Sequence, residues 1–188
     1  MQQIDLTDGG LLFYDDAFVP AEQSEHYFLS LRGECKWEQK PGLFGYPQPR
    51  LIASYGDAGV AYKYSGVVNV ALPWTKTLRE IKNRIETVYG QYNYCLLNRY
   101  RSGADSMGWH ADDEPEMGDV VASVSLGAIR RFRLRHNESG ETLHFDLPSG
   151  SLLIMAGTTQ QFWQHAVPKS KRAVGERINL TFRMIRSH

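Results

Sequence analysis

The residues with the clearest capacity for chemistry are His110, Asp112 and His165. In the run His110-Ala111-Asp112 the outer two side chains share one face of an extended segment, so an imidazole and a carboxylate can reach one metal ion. His165, downstream after a strand and a turn, can supply a third ligand. Two histidines and a carboxylate form the facial set that leaves positions open for non-haem Fe(II) oxygen chemistry. The His-x-Asp pair alone is a weak signal, because most such pairs are incidental surface residues. His136 and His144 have no comparable partner and read as surface or strand residues.

A second constellation lies near the C-terminus, in Arg177-Ile178-Asn179-Leu180-Thr181-Phe182-Arg183. As a strand, it places Arg177, Asn179, Thr181 and Arg183 on one face, and Ile178, Leu180, Phe182 and Met184 on the other. Two arginines six residues apart stand roughly 20 Å apart on a strand, and arms of about 6 Å leaning inward can meet one short dianion. The bland alternative is an edge strand with a solvated polar face. Upstream, Asn98 and Tyr100 share one face of another extended run.

These residues need elements to position them. Glu22–Arg32 carries Phe28 and Leu31 at helical spacing, with Gly33 as a stop. Pro41–Tyr55, rich in proline and glycine, reads as irregular or edge structure. Pro73 opens a helix in which Leu78, Ile81, Ile85 and Val88 recur, and Gly90 closes it. After Gly90 the period becomes two: Tyr94–Tyr100, Val120–Leu126, Arg131–Arg135, Thr142–Leu147, Ser151–Ala156 and Arg177–Ile185 read as strands. Such density predicts a β-sandwich or barrel with a helix packed on one face.

Composition sets the outer limits. At 188 residues, 42% hydrophobic and 22% charged, the chain is expected to fold around a real core. Lys+Arg and Asp+Glu both number 21, which excludes a polybasic binder and leaves nucleic-acid contact to a local patch. The apolar run Leu152–Ala156 is too short to span a bilayer, and Met1–Gly10 has no secretory character. Cys35 and Cys95 are too few for a disulfide framework. The expectation is a soluble, non-secreted monomer of a reducing compartment, cytoplasmic or, in a eukaryote, nuclear.

Further blocks occur in a telling order: Pro49-Arg50, Tyr55-Gly56-Asp57, Tyr64-Ser65-Gly66, Leu97-Asn98-Arg99-Tyr100, Gly108-Trp109-His110-Ala111-Asp112-Asp113-Glu114 and Ala122–Gly127. Gly150-Ser151-Leu152-Leu153, His165 and Arg177–Arg183 complete the series. With these residues the span Pro49–Ile185 resembles the AlkB family of Fe(II)- and 2-oxoglutarate-dependent dioxygenases, nearest its duplex-DNA-acting branch. The resemblance implies a mainly β (α+β) double-stranded β-helix of the jelly-roll or cupin kind, with N-terminal helices and a nucleotide-recognition lid. It implies one domain over residues 1–188, with 1–90 as extension and lid and 91–188 as core. Fe(II) would be held by His110, Asp112 and His165, and 2-oxoglutarate by Asn98, Tyr100, Arg177 and Arg183, with Asn179 and Thr181 on the same face. O2 would be the second co-substrate.

The implied reaction is oxidative demethylation of bases such as 1-methyladenine and 3-methylcytosine in DNA, releasing formaldehyde, succinate and CO2. By the same resemblance, Tyr62 and Tyr64 line the base pocket, Glu114 meets the exocyclic amino group, and Phe44 enters the stack vacated by an extruded base. Arg135, Lys171 and Arg172 would contact phosphate. Two departures bear on the strand. Ser170 stands at the first position of the branch's basic trio, and its long basic loop is shortened to Asn137-Glu138-Ser139-Gly140-Glu141. Single-stranded DNA, or RNA, is therefore an alternative substrate. A zinc or manganese hydrolase, a 2-oxoglutarate oxygenase of protein or lipid, and a non-enzymatic nucleic-acid reader are the rival readings.

Overall fold

The computed structural model describes residues 1–42, 45–64 and 67–186, with the side chains of residues 62–64 and 67–69 outside that description. The N-terminal part holds β1 (Gln2–Asp5), β2 (Gly10–Asp15), α1 (Ala21–Glu34) and β3 (Leu51–Gly56). A hairpin of β4 (Ala61–Tyr64) and β5 (Val67–Val70) follows, then β6 (Leu72–Pro73) and α2 (Lys76–Glu86). The remainder is β7 (Tyr94–Tyr100), β8 (Met107–His110), β9 (Met117–Gly127), β10 (Arg130–His136), β11 (Thr142–Leu147), β12 (Leu152–Gly157), α3 (Thr159–Phe162), β13 (Trp163–Val167) and β14 (Arg177–Ile185).

Two sheets face each other. The larger runs β1-β2-β12-β9-β14-β7-β3-β6 and the smaller β11-β10-β13-β8. This is the double-stranded β-helix expected from the resemblance. Alternation assigns each strand two kinds of neighbour. On the larger sheet Leu97, Ala122, Val124, Ile154, Ile178, Leu180 and Phe182 pack under the helices against Leu31, Leu78, Ile81 and Ile85. The opposite faces bury Tyr100, Val121, Leu153 and Met155 against Phe132, Leu134, Trp163 and Val167 of the smaller sheet.

β14 is therefore no edge strand. It pairs along its length with β7 on one side and β9 on the other, and its polar face points between the sheets rather than to solvent. Helix α2 begins later than Pro73 implies. Thr75 caps it, its Oγ1 accepting the Leu78 N–H at 3.2 Å, while Pro73 ends β6. Val88 lies beyond the helix and is exposed. Helix α1 runs through Gly33 to Glu34. The Pro/Gly-rich stretch read as irregular contains a regular strand, β3, paired with β7. Among the described residues no helix is long and apolar enough to cross a membrane.

Candidate metal centre and active site

The smaller sheet brings the two histidines together. β13 pairs antiparallel with β8 so that His165 lies opposite His110, and the two rings sit edge to face with centroids 4.2 Å apart. The chain leaves β8 and places Asp112 beneath them, 4% exposed. Ligand atoms of all three residues lie within 4.8 Å of one another. Asp112 Oδ1 is 3.9 Å from His110 Nε2, and Oδ2 is 4.0 Å from His165 Nε2. Such gaps are too long for hydrogen bonds and suit three ligands around one ion. His110 Nδ1 is 2.9 Å from the Gly108 carbonyl, which can only accept, so Nδ1 carries the proton and the Nε2 lone pair is left for metal.

Electrostatics holds Asp112 and His165 in their metal-binding forms. Burial alone would raise the Asp112 carboxyl, but the Arg183 guanidinium, aided by the two histidines, outweighs it and keeps the group well below the usual carboxylate range. Arg183 Nη2 donates to Asp112 Oδ2 at 2.7 Å. Burial, with His110 and Arg183 adding to it, pushes His165 down to about 3 despite the Asp112 charge. At neutral pH the centre thus presents an anionic carboxylate and a neutral His165. Phe132 stacks on His165 at 5.3 Å, and Gln160 Oε1 accepts the Asp112 backbone N–H at 2.9 Å.

The polar face of β14 completes the chamber. Register sets Arg177 opposite Tyr100 and Asn179 opposite Asn98. Asn98, Tyr100, Asn179, Thr181 and Arg183 line one cavity with the three candidate ligands. Arg177 lies against Ser125, to which Nη2 donates at 2.9 Å, and its guanidinium stands 5.3 Å from the Tyr100 ring. Its Nε and Nη1 are buried without a hydrogen-bond partner. Burial brings this guanidinium down to about 10, so it stays charged at neutral pH. A buried cation with two unused donors calls for an anion, and a 2-oxo dicarboxylate fits that need beside a two-His, one-carboxylate centre. Asn179 is already occupied: its amide donates to Ser123 Oγ and the Val124 carbonyl, and its oxygen accepts from Thr181.

Other sequence-predicted residues scatter more widely. Glu114 is half-buried with Oε2 enclosed and unpartnered. Phe44 lies outside the described residues, and Tyr62 and Tyr64 are placed on β4 with their side chains likewise outside them. Arg135 is exposed on the outer face of β10, while Lys171 and Arg172 line a broad recess with Arg131 and Arg133. Arg131 is tied to Asp146 by two 2.8 Å bonds. His136 is on a strand as expected but is buried, 3.0 Å from Asp8.

Sequence reasoning assigned no role to Arg50, Gln160 or Arg130. Arg50 Nε donates to Asn98 Oδ1 at 2.7 Å inside the fold. Buried Arg130 donates to the carbonyls of Ser102, Asp105 and Pro168, clamping two loops beside the chamber. Strand parity carried that signal, since Arg130 falls in phase with Phe132 and Leu134. No pattern marked Gln160.

The fold and the triad define a class: residues 10–183 match the family model of the 2OG-Fe(II) oxygenase superfamily. A solved prolyl-4-hydroxylase of Pseudomonas putida shares the fold, with TM-score 0.62 over 94% of this chain and 93% of that one at 16% identity. The chain is 39% identical over 184 residues to the mouse DNA oxidative demethylase ALKBH2, covering 91% of this chain and 74% of the relative. It is 40% identical over 184 residues to the human alpha-ketoglutarate-dependent dioxygenase alkB homolog 3, covering 89% and 64% respectively. The chain belongs to the AlkB family of this superfamily, and His110, Asp112 and His165 form its Fe(II) centre.

Proposed function

We propose that this chain oxidatively demethylates N-alkylated nucleobases such as 1-methyladenine and 3-methylcytosine in DNA. The carrying observation is the buried Arg177 guanidinium, with two donors unmet, set against Tyr100, which lines the chamber of the His110–Asp112–His165 centre. Bound Fe(II) and 2-oxoglutarate supply the chemistry by which O2 hydroxylates the N-methyl carbon, with succinate and CO2 as co-products. The hydroxymethyl base then releases formaldehyde.

The chain's own residues orient and shield. Arg177 and Tyr100 meet one end of the co-substrate, while Asn98, held by Arg50 and on the same strand as Tyr100, meets it further along. Arg183 fixes the Asp112 carboxylate, and Asn179 and Thr181 brace β14 against β9. Phe132 keeps water from His165. Glu114 Oε2 is an enclosed acceptor for the exocyclic amino group of a cationic methylated base, Tyr64 stacks on that base, and Tyr62 lines the pocket. Phe44 is the wedge for a duplex, and Arg135, Lys171 and Arg172 hold phosphate. Residues 1–188 act as one monomeric domain of the cytoplasm, or of the nucleus in a eukaryote.

The same chemistry on single-stranded DNA or RNA is a second reading, favoured by the hairpin between β10 and β11. There His136 N–H bonds the Glu141 carbonyl and Gly140 closes the turn at φ 71°, leaving no arm for a complementary strand. The test is anaerobically reconstituted Fe(II) protein with 2-oxoglutarate and an oligonucleotide carrying 1-methyladenine, single-stranded and then annealed. Mass spectrometry after admission of O2 is expected to report loss of the methyl mass together with succinate. Succinate without demethylation of any strand overturns the nucleobase reading. Neither product from folded, iron-loaded protein overturns the oxygenase reading.

A further inference from the structure

We infer that Trp109 is a stacking platform for the base adjacent to the one in the pocket, on an unpaired strand. The inference rests on the nucleobase reading above and adds a second nucleotide subsite to it. Strand parity sets Trp109 back to back with the metal ligand His110, so its indole lies on the outer face of the smaller sheet. On that face Arg135 and Arg133 bring their guanidinium carbons to 4.7 and 5.5 Å from the indole centroid. Register places Ala166 beside Arg133, a small residue between the ring's strand and the arginines' strand.

The indole is not spent on packing. Of the chain's four tryptophans, Trp37, Trp74 and Trp163 each donate Nε1–H to a protein oxygen. Trp109 Nε1 makes no such bond among the described residues, and the ring is only half-buried. Trp109 also borders a recess of about 490 Å3 that neither Arg133 nor Arg135 lines. That recess also touches His110, Arg50 and Tyr46, the last 76% exposed. Met107 and His110 line both this recess and the cavity of the metal centre, which puts it beside that centre, where a neighbour joined by one phosphodiester to the bound base must lie.

Charge selects the occupant. Arg131 is neutralised by Asp146, whereas Arg133 and Arg135 have no carboxylate within ion-pair distance among the described residues. Arg135 bonds only the neutral Gln164 amide. An aromatic face with a free cationic flank is the arrangement that holds successive bases and the phosphates between them. A base inside a duplex is already stacked on its neighbours, so the platform serves single strands.

The test measures binding by fluorescence anisotropy, anaerobically, with Fe(II) and 2-oxoglutarate present. The probe is a labelled single-stranded oligonucleotide with one 1-methyladenine, intact or with an abasic site immediately 5′ or 3′ of it. Trp109→Ala is expected to weaken the intact strand roughly 5- to 100-fold, with Trp109→Phe recovering most of it. Removing one neighbouring base is expected to cost the parent a similar factor and Trp109→Ala nothing more. If the abasic penalty is the same in parent and variant on both sides, or absent from the parent, the platform is overturned. A purely structural role for Trp109 gives that result, since it weakens intact and abasic strands alike. The nucleobase reading fails separately, when the parent shows the neighbour-base penalty yet removes no methyl group on admission of O2.

Discussion

His165 and Asp112 tie acid stability to the metal centre. In the unfolded chain His165 titrates near its ordinary value of about 6.5, while in the fold it is held at about 3. Between those values the unfolded state binds a proton that the native state does not, so stability falls as pH falls. Asp112, with its folded value depressed, contributes stability above the ordinary carboxylate range that is lost on further acidification. Both groups push the same way. Urea midpoints of metal-free protein are expected to fall from pH 6.5 towards pH 4, and His165→Gln to flatten that slope; an unchanged slope sinks the assignment. Arg50 acts through another residue. Arg50→Ala removes a charge-assisted donor from buried Asn98, and the KM for 2-oxoglutarate, read from succinate release, is expected to rise roughly tenfold or more. A KM within twofold of the parent's argues that Asn98 does not meet the co-substrate.

At the element scale, β14 separates folding from chemistry by alternation. Leu180 is fully buried beneath the helices, and Leu180→Ala is expected to cost about 2–5 kcal/mol in chemical denaturation, with the triad's metal affinity retained at low temperature. A loss below about 1 kcal/mol would mean the helix layer is loosely packed there. The alternation of β14 was plain in the sequence, but its setting was not. A polar face looks the same whether it meets water or a chamber, and only the pairing with both β7 and β9 distinguishes them. The strands β9 to β12 were legible because each exceeds five residues and is bounded by turn formers. β8 and β13 were hidden by shortness, although they carry two of the three ligands. β3 was hidden by the prolines before it, which say nothing about Leu51–Gly56 itself. The ligand residues were legible without their strands, because residue type and order carry metal chemistry even where local period is weak.

For the whole molecule, the N-terminal residues are part of the architecture. β2 pairs with β12 over Leu152–Gly157, Trp163 Nε1 donates to the Thr7 carbonyl, and His136 sits beside Asp8. Gly150, at φ 87°, lets the chain pass where a Cβ would come 2.2 Å from the Val19 carbonyl oxygen. Deleting residues 1–15 would leave the buried strand β12 as a bare hydrophobic edge. The expected outcome is a lost cooperative urea transition and aggregation on size exclusion; a monomeric, cooperatively folding product would show these strands to be dispensable. The same logic has a consequence for the C-terminal strand. Asn179, Thr181 and Arg183 line the chamber, with Arg177 on the same face against Tyr100, while Ile178, Leu180 and Phe182 face the helices. It behaves like a text with a reading frame. A change in the length of the preceding loop leaves the frame intact, but a slip of one residue would exchange every anchor for a core side chain at once. Lineages of this chain should therefore tolerate changes in the length of residues 168–176 far better than a shift of parity within 177–183.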